Sequence, residues 1–209
     1  MARTSYIQTP SNSLIISVAE AKAHLRIPTA TTQDDTYIST LISAAKDAIE
    51  KYCNIILFNT TVVQYGDTWE DTLQLYHSPV AGSGFTDITS IHYLPVGATG
   101  TSYVNWTQNG NWFFDKFSSP QRIMAEADID YPDIEERIQA IKITYTVGYD
   151  EAEQIPAMLR QAAKIIVGQW YENRQEAIVG RSVSSIPMTA TYILNEYKVR
   201  SFGLPTIML

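Results

Sequence analysis

The sequence predicts an α+β protein: a small helical bundle, two helices from each end of the chain, with an antiparallel β domain inserted between its halves. Three observations lead there. Apolar residues recur three, four and seven positions apart near both ends. The segment between them is built from short β-branched and aromatic runs separated by turn residues. Finally, 45% of the 209 residues are hydrophobic, enough to bury a core in one domain carrying a sizeable insertion. The expected divisions are 1–57 for the N-terminal helical half, 58–154 for the inserted β domain, and 155–209 for the C-terminal helical half and tail.

The first element is "SVAEAKAHLRIP", in which Ser17 and Glu20 form a capping-box pattern and Pro28 closes a short helix. Asp34 and Asp35 then favour the positive end of a second helix. Its stripe of Ile38, Leu41, Ile42, Ala45, Ile49 and Tyr52 predicts a long amphipathic helix over about residues 35–53. From Ile55 the period falls to two. "TTVVQY", "TLQLY", "ITSIHYL", "TSYVNW", "NWFFD" and "IKITYTV" read as strands, and Asn109-Gly110 predicts a tight hairpin between "YVNWT" and "WFFD". In "IKITYTV", Ile141, Ile143, Tyr145 and Val147 share one face. Helical spacing resumes at Pro156 with Leu159, Ala162, Ala163, Ile166 and Trp170, and a last short helix is expected from Met188 to about Val199.

Charge is unevenly spread. Residues 156–209 hold six Lys/Arg against three Glu, so this end is +3, and the rest of the chain must be −10 to give the total of −7. No Lys/Arg cluster precedes residue 156, which argues against a main body that wraps nucleic acid. No apolar run reaches the roughly 20 residues of a membrane-spanning helix, and the N-terminus lacks the order of a signal peptide, so a soluble protein made in a cytoplasm is expected. The single Cys53 follows an apolar helix face and reads as a buried, inert thiol.

Catalytic and cofactor patterns are missing. His24, His77 and His92 have no metal-ligand spacing, and Gly82-Ser83-Gly84 lacks a following helix and reads as a turn rather than a phosphate loop. No cofactor, metal or catalytic residue is therefore assigned. The cluster Glu126, Asp128, Asp130, Asp133, Glu135 and Glu136 resembles the start of a calcium loop, yet Asp133 stands where that loop needs Gly. It is expected to be a solvated loop, with a metal-assisted hydrolase as the competing reading. Trp69, Trp106 and Trp112 motivate a further alternative, a β module binding carbohydrate or peptide, although Trp106, Trp112 and Phe113 read first as core.

"QWYENRQEAIVG", residues 169–180, carries an apolar helix into a Trp-Tyr pair, alternating charge and a second apolar pair. Trp170 and Tyr171 are adjacent on a helix and cannot share a face, so one ring is free to meet the bundle and the other a neighbour. Trp170 is expected in the core, Tyr171 and Arg174 at a subunit boundary, and Ile178-Val179 in a loop covered on assembly. Arg174 equally fits a cap on the helix's negative end.

Four stretches in this order, "LIISVAEAKAHLRIP", "DDTYISTLISAAKDAIEKYCNIIL", "IKITYTVGYDEAEQIPAMLRQAAKIIVGQWYENRQEA" and "ILNEYKVRSF", resemble the phage head-tail connector, or adaptor, family in its longer form with a β insertion. The resemblance is carried by Glu20, Lys22, His24, Leu25, Arg26, Asp34-Asp35, Ala44-Ala45, Val147-Gly148-Tyr149, Pro156 and Trp170-Tyr171-Glu172-Asn173-Arg174. Residues 58–139 match in β character and in "LYHSPV" and "ITSIHYL", and the family's Pro-rich stretch is reduced to Ile186-Pro187. The resemblance implies a structural virion protein at the head-tail interface, not an enzyme. Its partners would be itself, in a ring commonly of twelve subunits, the portal protein, the next tail or neck component, and genomic DNA passing without sequence-specific binding. No membrane is involved. The residues expected at portal or subunit contacts are Tyr171, Arg174, Ile178, Val179, Arg181, Tyr197, Arg200, Phe202 and Leu204.

Overall fold

The computed structural model describes residues 4–7, 11–77, 85–108, 110–118, 120–173 and 186–199. The chain divides into two compact units. One is Asn12–Phe58 with Tyr149–Lys198; the other contains Asn59–Gly148 and an N-terminal strand.

The helical unit contains α1 (Val18–Leu25), α2 (Asp35–Cys53), α3 (Ala157–Glu172) and α4 (Met188–Asn195). Helix α1 begins in the expected capping box: the Glu20 amide donates to Ser17 Oγ at 3.1 Å, and the Ser17 amide donates to Glu20 Oε2 at 2.9 Å. It ends at Arg26, which adopts a left-handed conformation with φ 59°, before Pro28 is reached. Lys22 is buried, and its Nζ donates to Thr29 O (2.9 Å), Thr31 O (2.6 Å) and Asp35 Oδ1 (2.8 Å), fixing the turn into α2. Helix α2 spans the expected range and buries Ile38, Ile42, Ala45, Ile49 and Cys53. Leu41 and Tyr52, counted in its stripe, are only half-buried at its margins. Leu159, Ala162, Ala163, Ile166 and Val167 form the buried face of α3, and Ala190, Ile193 and Leu194 that of α4. Small residues on α3 let its neighbours approach: a Cβ at Gly168 would lie 3.4 Å from His24 Nε2. Val167, rather than Trp170, completes the buried face, and Trp170 is half-buried.

Among the described residues the β unit holds eight strands: β1 (Thr4–Ile7), β2 (Thr60–Gly66), β3 (Leu73–Gln74), β4 (Phe85–Tyr93), β5 (Val104–Asn105), β6 (Trp112–Asp115), β7 (Arg122–Ala125) and β8 (Ile141–Gly148). All pairings between strands are antiparallel, in a five-stranded sheet ordered β1-β2-β8-β4-β5 and a three-stranded sheet ordered β3-β7-β6. Central strand β8 alternates as its sequence predicts, with Ile141, Ile143, Tyr145 and Val147 buried.

Two strands escape the sequence reading, β1 and β7. Each has four residues, "TSYI" and "RIMA". The expected β5–β6 hairpin does not form. The turn is present, with the Asn111 amide donating to Gln108 O at 2.9 Å and Gly110 at φ 79°. The flanking strands nevertheless pair elsewhere, β5 with β4 and β6 with β7. Trp106 packs with the distant Trp69 and with Tyr131, while the Trp112 indole donates to Trp106 O at 3.0 Å across the turn. Phe113, expected in the core with Trp106 and Trp112, is 52% exposed, because on β6 it alternates with buried Trp112.

Candidate functional site

Helix α3 ends by sending two adjacent rings in different directions. The Tyr171 hydroxyl hydrogen-bonds to Asp34 Oδ2, and its ring lies 6.1 Å from Tyr37 between centroids. Tyr171 therefore ties the end of α3 to the start of α2. Trp170 instead lines an open groove of about 430 Å³ with Ala48, Lys51, Tyr52, Ile186 and Lys198. Lys198 Nζ sits 4.9 Å from the centre of the Tyr52 ring, whose hydroxyl donates to Asn195 Oδ1 at 2.8 Å. Among the described residues the groove thus combines an apolar and aromatic lining with two ammonium groups and no carboxylate.

A second surface lies on α4. Met188 and Tyr192, one helical turn apart, are 86% and 77% exposed. The sequence reading missed both, although a signal exists: in "MTATYILN" apolar residues surround the helix, which burial on one side cannot cover. Of the residues expected at partner contacts, Tyr171 and Tyr197 are described and both are half-buried. Arg174, Ile178, Val179, Arg181, Arg200, Phe202 and Leu204 lie outside the described residues, as does Gly82-Ser83-Gly84.

The competing sites have less to offer. Trp106 and Trp112 are buried. Trp69 stacks on Tyr131 at 5.0 Å, packs against Trp106 at 5.1 Å and donates its indole hydrogen to Pro132 O at 2.8 Å. Two of the three indoles are thus buried, and the half-buried Trp69 is packed against Trp106 and Tyr131. The acidic segment does not converge: among the described residues, no three His, Cys, Asp or Glu are grouped to hold a metal. Glu135 accepts from the Gly97 amide at 2.6 Å, while Asp128, Asp130, Asp133 and Glu136 are exposed. Cys53 is fully buried, and burial pushes its thiol pKa up to about 12, far from the range of a nucleophile. Burial lowers the pKa of His77, and burial with the nearby Lys142 charge lowers that of His92. Among the described residues no helix is long and apolar enough to cross a membrane.

Similarity to known proteins converges on one assignment. No curated protein matches the chain. Among solved structures, a chain from the neck of an empty gene transfer agent particle computed with C6 symmetry has a TM-score of 0.71 at 21% identity, covering 97% of this chain and 98% of that one. A chain from the virion of the native gene transfer agent particle gives 0.72 at 19% identity, covering 95% and 97%. A chain from the native neck computed with C12 symmetry gives 0.68 at 21% identity, covering 97% and 98%. At these identities the likeness establishes the fold. The sequence pattern described as "Phage gp6-like head-tail connector protein" matches residues 15–81 and 130–198, which include helices α1, α2, α3 and α4 and central strand β8. The chain accordingly belongs to the phage gp6-like head-tail connector family and is a structural virion protein of the head-tail connector.

Proposed function

We propose that this protein forms a closed homo-oligomeric ring, of twelve subunits, that joins the portal of the head to the next tail component and surrounds the path of the genome. The observation that carries this reading is the family match over both helical segments, 15–81 and 130–198. The twelvefold number is supported by the similar neck chain from a particle computed with C12 symmetry. A ring subunit needs two different, complementary surfaces whose rotation closes, and two candidates lie on the helical unit, the exposed Met188/Tyr192 face and the Trp170 groove. The acidic balance of the chain before residue 156 suits a channel that passes DNA without holding it, because stable phosphate binding depends on Lys/Arg contacts.

In this reading the basic C-terminal end engages the portal. Tyr171, Arg174, Ile178, Val179, Arg181, Tyr197, Arg200, Phe202 and Leu204 contribute to portal or subunit contacts. Deleting residues 200–209 should leave the isolated chain folded by circular dichroism and abolish its attachment to portal-bearing heads. Attachment at the wild-type level by the truncated chain removes the portal assignment of this segment. Native mass measurement of the full chain, with and without portal, counts the subunits.

A further inference from the structure

The β unit displays exposed apolar side chains on three connections, Val96 between β4 and β5, Phe117 between β6 and β7, and Ile129 and Ile138 between β7 and β8; the turns at Phe117 and Ile129 differ in charge. After β6, Phe117 is 79% exposed and stands beside Lys116, whose Nζ lies 5.4 Å from its ring centre. After β7, Ile129 is 38% exposed and stands between the exposed carboxylates of Asp128 and Asp130. The Ile129 turn has a defined shape: the Ile129 amide donates to Glu126 O at 3.1 Å, and Asp128 holds a left-handed conformation at φ 66°. Asp tolerates that conformation better than most residues, so the turn presents Ile129 with little strain.

The Trp170 groove is complementary to this turn. Among the described residues its apolar surface comes from Ala48, Trp170 and Ile186, and its charges are the ammonium groups of Lys51 and Lys198. Both lysines are exposed in the single chain. Phe117 would bring Lys116 toward them, whereas Ile129 would bring two carboxylates. The same division appears along the whole chain, +3 over residues 156–209 and −10 over the rest.

We propose that the Asp128-Ile129-Asp130 turn of one copy seats in the Trp170 groove of a second copy, with Ile129 against Trp170 and Ile186 and the two carboxylates on Lys51 and Lys198. Loop and groove are different surfaces, so the contact is head-to-tail and propagates from copy to copy until a ring closes. Opposite charges on the two sides select the register and disfavour a loop of the wrong sign. This inference rests on the ring reading and names the contact that would build it.

The test mixes two full-length chains of different tag length, one carrying Ile129→Cys and the other Ala48→Cys, under mild oxidation. The expected result is a disulfide-linked pair of one long and one short chain, absent when Phe117→Cys replaces Ile129→Cys; buried Cys53 is common to every arm. In parallel, Lys51→Glu should weaken self-association about tenfold, and Asp130→Lys introduced into the same chain should restore it. If native mass measurement shows a ring, no cross-link forms and Lys51→Glu assembles normally, the proposed contact is overturned while the ring reading stands. If Lys51→Glu assembles normally but fails to attach to portals, the groove belongs to the portal and the proposal is likewise overturned. Chains that remain monomeric at every concentration and on heads overturn both.

Discussion

The two units place their polar ties differently. In the helical unit these ties sit at element ends: the Ser17–Glu20 box, the Lys22 clamp on the α1–α2 turn, the Leu57 amide on Glu50 Oε1 at 2.9 Å, and Tyr171 on Asp34. The apolar faces between them pack against one another. In the β unit the ties run through the middle. Gln64, buried on β2, donates to Gln74 O at 2.8 Å and accepts from the Tyr76 amide at 3.0 Å. Trp112 reaches Trp106 O, and the Tyr131 hydroxyl donates to Asp71 O while accepting from the Ala125 amide, both at 3.1 Å. Removing a tie at an end frays a turn; removing one at the centre opens several strands together. The helical unit should therefore fail gradually and the β unit all at once.

The largest effect tests the β side of that contrast. Trp106→Ala deletes a buried ring that touches both Trp69 and Tyr131 and should cost about 3–5 kcal/mol. Peptide-resolved hydrogen exchange should show protection lost across β4 to β8 together, with α2 and α3 still protected. Loss confined to residues 104–113 would break the comparison, since it would mean that the aromatic cluster is not a shared centre.

Lys22→Met tests the helical side. It removes a buried ammonium and strands two carbonyls and Asp35, whose side chain is 37% exposed and can turn to water, so the expected cost is about 2 kcal/mol. Urea unfolding measures that cost, and hydrogen exchange should locate it in residues 26–36. Exposure spreading over α3 and α4 would show that the end tie organises the whole bundle.

This contrast also governs what the sequence discloses. The helical unit is specified by near neighbours, such as Ser17 with Glu20 or the three-and-four spacing of Ile38, Ile42, Ala45 and Ile49, and these can be read without knowing the fold. Strand character in "IKITYTV" is local in the same way. Strand partnership is not: the Asn109-Gly110 turn invites a hairpin, yet β5 pairs back with β4 and β6 pairs forward with β7, in different sheets. Strand β1 was hidden for a related reason, because "TSYI" becomes a strand only through pairing with Thr60–Gly66. At the candidate site, the divergence of Trp170 and Tyr171 followed from their adjacency on a helix. The groove did not, since it gathers Ala48, Lys51 and Tyr52 with residues more than a hundred positions away.

The smallest expected effect has opposite signs in the two units. Burial depresses the pKa of His77 and, with Lys142, that of His92, and both residues belong to the β unit. Their unfolded forms bind protons more readily than the folded forms do. The stability they contribute is complete above the usual histidine value of 6.5 and is lost as pH falls from there through the folded values. Glu50, in the helical unit, is shifted upward by burial, so its folded form holds the proton more tightly. Its contribution is complete below 4.5 and falls as pH rises through the folded value. Acidification from pH 6.5 toward 4.5 should thus weaken the β unit through its histidines, while Glu50 slightly favours the helical unit. Hydrogen exchange across that range reads the two units separately. His77→Asn should flatten the β-unit slope, and Glu50→Gln should flatten the helical one. If His77→Asn leaves the β-unit slope unchanged, the acid sensitivity comes from carboxylates of that unit instead of from a histidine held neutral by burial.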